Sequence, residues 1–267
     1  MTCRLPRRIV CLTEETCETL YRLGEQERIV GISGFTVRPA RARREKPKVA
    51  AFTSARIDKI LALEPDLVLG FSDLQADIAA ALIRAGLAVH VFNQRTVAGI
   101  LGMIETVGAL VGVPAKAAAL AAELEAGMDA VAEVAARLPR RPRVYFEEWD
   151  APLISGIGWV SELIALAGGE DCFAELAGHA AARERVIADP AEVVRRAPDL
   201  VIGSWCGKRF RPDSLAARPG WDAIPAVRRG QVFEIKSCDI LQPGPAALTD
   251  GLTQLHARIA ACAALAP

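Results

Sequence analysis

At 267 residues with 52% hydrophobic side chains, the chain is globular and long enough for one large or two small domains with well-buried cores. Thirty-two basic residues balance thirty-two acidic ones, so no net field draws the protein to nucleic acid or to an anionic membrane. Seven cysteines, at 3, 11, 17, 172, 206, 238 and 262, form an odd set without a C-x-x-C pair, which indicates neither a disulfide framework nor a thiolate zinc site and reads as small buried hydrophobes in a reducing compartment.

The chain opens MTCRLPRR and continues with only a four-residue apolar run, Ile9 to Leu12, whereas a secretory signal carries roughly seven to fifteen apolar residues. No stretch approaches the roughly 18 to 20 apolar residues of a membrane span. As given, the chain therefore reads as cytoplasmic. Apolar periodicity and turn residues then predict strand 8–12, helix 14–23, strand 28–32, a loop, helix 56–63, strand 66–70, helix 74–85 and strand 88–92. The alternation implies an α/β lobe with a mainly parallel sheet covered on both faces. After a helical stretch, the pattern resumes with strand 143–147, helix 158–167, helix 190–196, strand 200–204, strand 231–235 and a last helix from about Ala246 to Ala264.

An internal echo ties the two halves together. Pro65-Asp66-Leu67-Val68-Leu69-Gly70 returns 133 positions later as Pro198-Asp199-Leu200-Val201-Ile202-Gly203. Each copy follows an amphipathic helix stopped by the proline and supplies an apolar run suited to a buried strand. Arg8-Ile9-Val10-Cys11-Leu12 and Arg143-Val144-Tyr145-Phe146 likewise open their halves and lead into helices ending at Gly24 and Gly168. Between the halves, Val97 to Leu138 is rich in Ala, Leu, Glu and Lys, with Pro114 placed to start a new helix. From Pro114 to Leu138 a helix spans roughly 37 Å, enough to join two lobes. The expected organisation is an N-terminal α/β lobe over 1–96, a helical backbone over 97–138 and a C-terminal α/β lobe over 139–267.

Signals of catalysis are missing. The sequence has no G-x-x-x-x-G-K-S/T, H-E-x-x-H or G-x-S-x-G. The stretch Gly156-Ile157-Gly158-Trp159-Val160-Ser161 is a glycine turn feeding a helix rather than a dinucleotide fingerprint, because its third glycine is replaced by serine. His90, His179 and His256 are far apart, so no metal site is expected. Tyr21 and Tyr145, the two tyrosines, sit on core-type elements and read as packing residues rather than haem ligands. The run RPARARREKPK at 38–48 carries six basic residues and one acid. It is a solvated loop or a source of guanidiniums for an anionic ligand, and without interleaved aromatics it makes no nucleic-acid platform.

Ligands of open parallel sheets sit beyond the carboxyl ends of the strands. The loops there carry Thr13, Glu14 and Glu15; Ser33, Gly34 and Phe35; Phe52, Thr53 and Ser54; Phe71 and Ser72; Glu147, Glu148, Trp149 and Asp150; Trp205 and Cys206; and Ser237, Cys238 and Asp239. Aromatics beside hydroxyls and carboxylates suit a large ligand with an apolar body and a polar rim. From these loops Thr13, Glu14, Glu15, Phe35, Phe52, Thr53, Phe71, Glu148, Trp149, Trp205 and Asp239 are taken as the ligand-binding set.

Five segments carry a resemblance over nearly the whole chain: RIVCLTEETCETLYRLGEQERIVGIS at 8–33, KVAAFTSARIDKILALEPDLVLG at 48–70, RVYFEEWDAPLISGIGWVSELIALAGGED at 143–171, PAEVVRRAPDLVIGSW at 190–205 and QVFEIKSCDILQPGPAALTDGL at 231–252. The chain resembles the cobalamin and ferric-siderophore substrate-binding proteins of ABC importers, most closely the cobalamin-binding branch. The resemblance implies two lobes bridged by one long helix and a ligand held between loops at the carboxyl ends of both sheets. It implies no enzymatic activity, no cofactor other than cobalamin as the bound ligand, a monomer, and a permease partner reached from outside the inner membrane. Leu12-Thr13-Glu14-Glu15 stands where the family usually has a Pro-Ser type loop. Phe71 falls where cobalamin binders often place tryptophan, and Asp239 in the Ser-Asp position near the corrin rim. Asp77 and Glu192 are the nearest matches to the acidic residues that dock on the transporter. Two alternatives stay open: a ferric-siderophore or haem carrier, and a cytoplasmic corrinoid-handling protein or enzyme in which Glu147, Glu148 and Asp239 serve acid–base chemistry.

Overall fold

The computed structural model describes residues 5–265, so Cys3 and the rest of the opening tetrapeptide lie outside the described residues. Two compact units are distinguished. Among the described residues, the first comprises 5–94, 98–124 and 243–245, and the second 95–97, 125–242 and 246–265.

The first unit is built on five parallel strands: β1 (Ile9–Cys11), β2 (Ile29–Ser33), β3 (Lys48–Ala50), β4 (Leu67–Phe71) and β5 (Val89–Phe92), in the order β3-β2-β1-β4-β5. Helices α1 (Glu14–Arg22), α2 (Ala42–Glu45), α3 (Ile57–Leu61) and α4 (Ala76–Arg84) make the connections. β1 and β4 are buried along their whole length, as continuous apolar runs in a parallel sheet with both faces covered require. Val10, Leu12, Val49, Ile60, Val68, Ile78 and Leu82 form one apolar cluster between sheet and helices.

Two helices follow, α5 (Val97–Leu110) and α6 (Pro114–Ala135). Pro114 opens α6 where its missing N–H costs nothing, because the first amides of a helix have no intrahelical acceptor.

The second unit has β6 (Arg143–Asp150), β7 (Leu153–Ser155), β8 (Glu170–Asp171), β9 (Leu200–Gly203) and β10 (Val232–Glu234), in the order β10-β9-β6-β7 with β8 also on β6. All pairings are parallel except β6 with β7. Helices α7 (Gly158–Leu166), α8 (Ala174–Ala177), α9 (Ala191–Arg196), α10 (Pro212–Ala216), α11 (Pro225–Arg228), α12 (Ser237–Ile240) and α13 (Leu252–Ala263) complete it. Tyr145, Phe173 and Trp221 pack edge-on in its core, with ring centroids 5.5 and 6.0 Å apart.

The sequence echo has a physical role. In the first unit Asp66 accepts the backbone N–H groups of Arg7 and Arg8 at 2.7 and 2.9 Å, and its own N–H bonds Arg8 O. In the second, Asp199 accepts the N–H of Arg143 at 3.0 Å and its own N–H bonds Arg143 O. Each aspartate thus ties the start of its strand to the start of the central strand, fixing the parallel register Ile9↔Leu67 and Val144↔Leu200. The residues before the two prolines, Glu64 and Ala197, both take left-handed φ values, 45° and 44°, so the helix-stopping turns are matched as well.

Some expected elements change. The loop at 34–56 contains α2 and the edge strand β3; Val49, buried in the core cluster, is the apolar signal there, diluted by its basic surroundings. β6 runs three residues beyond the expected strand end and folds back through β7, so Glu148, Trp149 and Asp150 stand on a strand rather than a loop. The expected helix from Ala246 begins as a π-helical turn, Ala247–Gly251, before α13. Gly251 is what allows this packing, since a Cβ there would lie 2.4 Å from the carbonyl oxygen of Asp239.

Candidate functional site

In the first unit, a two-residue link joins β1 to α1, and the first two turns of that helix carry three acids into the interior. Glu14 and Glu15 are buried and Glu18 is 8% exposed. The Val37 N–H donates to Glu14 Oε2 at 2.7 Å, and the Thr13 hydroxyl donates to Glu15 Oε1 at 2.5 Å. The other carboxyl oxygens, Glu14 Oε1 and Glu15 Oε2, are buried without a hydrogen-bond partner. Burial pushes the Glu14 carboxyl up to about 8 and that of Glu15 up to about 7, against the pull of those two hydrogen bonds. Near neutrality both are poised between acceptor and donor.

Around them the loops are pinned by local bonds. Ser33 Oγ accepts the Phe35 N–H at 3.2 Å and Ser72 Oγ accepts the Leu74 N–H at 3.3 Å. Gln75 bridges two loops, its amide donating to Phe52 O at 2.9 Å and accepting the Phe71 N–H at 3.0 Å. Phe35 and Leu74 stand out at 59% and 61% exposed, Phe52 is half-buried, Thr53 is exposed and Phe71 is buried. The basic loop is anchored rather than freely solvated: Arg43 donates to Gly34 O and Thr36 O, Arg41 lies 4.7 Å over the Tyr21 ring, and the Tyr21 hydroxyl donates to Glu45 at 2.6 Å.

In the second unit, Glu147 in the middle of β6 is fully buried and receives four hydrogen bonds. They come from the Tyr145 hydroxyl at 3.0 Å, Trp205 Nε1 at 3.1 Å and the Arg218 guanidinium at 2.5 and 2.9 Å. Burial opposes the Arg218 charge, but the carboxylate beside it holds its pKa above the ordinary value. Glu148 makes a second two-pronged pair, with the buried Arg185 at 2.6 and 3.0 Å. Glu147 and Glu148 are therefore committed to internal partners. Trp149 is half-buried and donates to Ala151 O. Trp205 is 4% exposed, packed edge-on against Phe210 at 4.9 Å.

After β9 the chain forms a recess of about 380 Å³ lined by Asp150, Trp205, Lys208, Arg209, Arg211 and Ser214. Lys208 Nζ is 2.5 Å from Asp150 Oδ2, 4.8 Å from the Trp205 ring centroid and 5.4 Å from that of Trp149. Phe210 fixes this loop by lying on Gly203, where a Cβ would meet its ring at 1.9 Å. Lys208, Arg209, Arg211 and Ser214 lie past Trp205 and Cys206, the residues expected to line this loop. The signal was present as K-R-F-R-P after an apolar strand. Asp239, half-buried in α12, accepts from Gln254 Nε2 at 3.1 Å.

Of the two acidic docking candidates, Asp77 is exposed in the first turn of α4. Glu192 is held by Arg195 at 2.8 Å and by Arg196 at 2.8 Å, which keep its carboxyl below the usual range.

The model of the periplasmic binding protein family matches residues 9–238. The chain belongs to that family. Its members are non-enzymatic solute-binding proteins, so acid–base catalysis by Glu147, Glu148 and Asp239 is set aside in favour of the hydrogen-bonding roles seen here. The chain is similar to a cobalamin-binding protein of Halobacterium salinarum, with 27% identity over 252 residues, 90% of this chain and 66% of that relative. It thus spans just under two thirds of the relative's length. It is also similar to a vitamin B12-binding protein of Vibrio parahaemolyticus, 24% identical over 90% of this chain and 85% of the relative. Among solved structures, the periplasmic haem-binding protein RhuT from Roseiflexus sp. RS-1 superposes with a TM-score of 0.82 at 25% identity, covering 96% of this chain and 99% of that one.

Proposed function

We propose that this chain is the solute-binding component of an ABC-type importer and that its solute is cobalamin or a related corrinoid, taken up without a protein ligand to cobalt. The observation that carries this is the state of the two tyrosines. Tyr21 and Tyr145 are buried and donate their hydroxyls to Glu45 and Glu147, so neither is available to a haem iron. A corrinoid brings its own axial ligand and asks the protein only for apolar surface and amide partners. Phe35, Leu74 and the half-buried Phe52 offer the first, and the exposed Thr53 hydroxyl offers the second. The cobalamin-binding relatives support the same choice. A haem carrier is the second reading, favoured by the Roseiflexus neighbour.

The protein is proposed to act as a monomer in the periplasm, as the family name implies, and to present Asp77 to a permease. Glu192 is the weaker docking residue, since a partner's guanidinium would have to displace Arg195 and Arg196.

Phe35→Ala tests the assignment, because an exposed side chain is removed at little cost to folding. Cyanocobalamin affinity is expected to fall about tenfold, the loss of one aromatic face against the ligand, with the thermal midpoint unchanged. Unaltered affinity would remove Phe35 from the site.

A further inference from the structure

The recess after β9 holds three cations against one carboxylate. Lys208 is matched by Asp150, at 2.5 Å, whereas the exposed guanidiniums of Arg209 and Arg211 have neither an ion-pair nor a side-chain hydrogen-bond partner among the described residues. These charges are not on a free loop. Between them Phe210 is buried on Gly203 and against Trp205, and Pro212 starts α10 immediately after. Trp205, which forms the apolar wall, is itself fixed by its Nε1–H on Glu147. A rigid indole wall beside uncompensated guanidiniums suits a carboxylate or phosphate group attached to an apolar body.

We propose that this recess is an anion subsite, which receives a carboxylate or phosphate group carried by the ligand beside the edge of Trp205 that lines it. The subsite rests on the proposed function only for the identity of the whole ligand. Its own chemistry is independent of whether that ligand is a corrinoid, whose nucleotide arm carries a phosphodiester, or a porphyrin, whose edge carries carboxylates.

The test follows the four indole N–H signals of the protein in nitrogen-15 correlation spectra during titration with inorganic pyrophosphate and, separately, succinate. Saturable shifts of Trp205 and Trp149, with Trp159 and Trp221 unmoved, are expected. The pyrophosphate response shows that phosphate is accepted and the succinate response that carboxylate is. The double variant R209Q/R211Q, confined to exposed side chains, should weaken the response about tenfold, and raised salt should weaken it in the wild type. Silence of Trp205 and Trp149 toward both anions, or an equal response in R209Q/R211Q, overturns the subsite. Cyanocobalamin binding is measured on the same samples. A protein that answers the anions but ignores cobalamin keeps the subsite and loses the corrinoid. One that binds cobalamin but ignores the anions keeps the corrinoid and loses the subsite.

Discussion

Replacing Arg218 by methionine is expected to cost about 3–5 kcal/mol of stability, the penalty for leaving a buried carboxylate without its counter-charge. Glu147 is fully buried and takes two of its four hydrogen bonds from this one guanidinium. Methionine fills much of the volume over the Trp221 ring, 4.5 Å from the guanidinium carbon, so the loss measured is chiefly electrostatic. In the double variant Glu147→Gln with Arg218→Met, the stranded charge is gone and the bonds from Tyr145 and Trp205 still have an acceptor. It should recover more than half of the loss. Urea denaturation of wild type and both variants checks this. A single variant within about 1 kcal/mol of wild type would show that the pair contributes no more than an exposed one.

The second large effect is a dependence of stability on pH set by Glu14 and Glu15. Their folded-state pKa values, about 8 and about 7, lie above the ordinary carboxyl value, so the folded chain binds protons more tightly than the unfolded one. The contribution is fully present below about pH 4.5 and is lost as pH rises through 7 to 8. Glu14→Gln keeps an acceptor for the Val37 N–H but never ionises. Its stability relative to wild type should therefore climb from near zero at pH 5 to a few kcal/mol at pH 8, and Glu15→Gln should do the same over a window about one pH unit lower. Denaturation at pH 5, 6.5 and 8 reads this directly. A constant difference between variant and wild type would mean that both carboxyls titrate normally.

Much of the fold was legible because the chain repeats itself. The Pro-Asp echo marks two strands that pair with the central strand of each sheet, and the aspartate is the piece that makes the pairing. Proline at 114 and the helix stops at Gly24 and Gly168, with φ of 77° and 92°, are local signals that tertiary packing does not override. What stayed illegible was non-local. β7 is three residues long and exists because β6 folds back onto it. Strand β3 lies in a basic stretch and is recruited by pairing with β2. At the site, position beyond the expected strand ends picked out Glu148 and Trp205, and Glu148 stands on β6 itself. Only coordinates show that Glu148 is consumed by Arg185 and that Trp205 is a wall fixed from behind by Glu147. Arginines 185 and 218 carry no motif; their partners are 37 and 71 positions away.

Calorimetric titration of the purified protein with cyanocobalamin, beside haem and a ferric hydroxamate, tests the central claim most directly. Saturable one-to-one binding of cyanocobalamin, with no heat from the other two, is the predicted result. Saturable binding of haem or the ferric complex with silence toward cyanocobalamin would contradict it and move the protein to the iron-carrying side of its family.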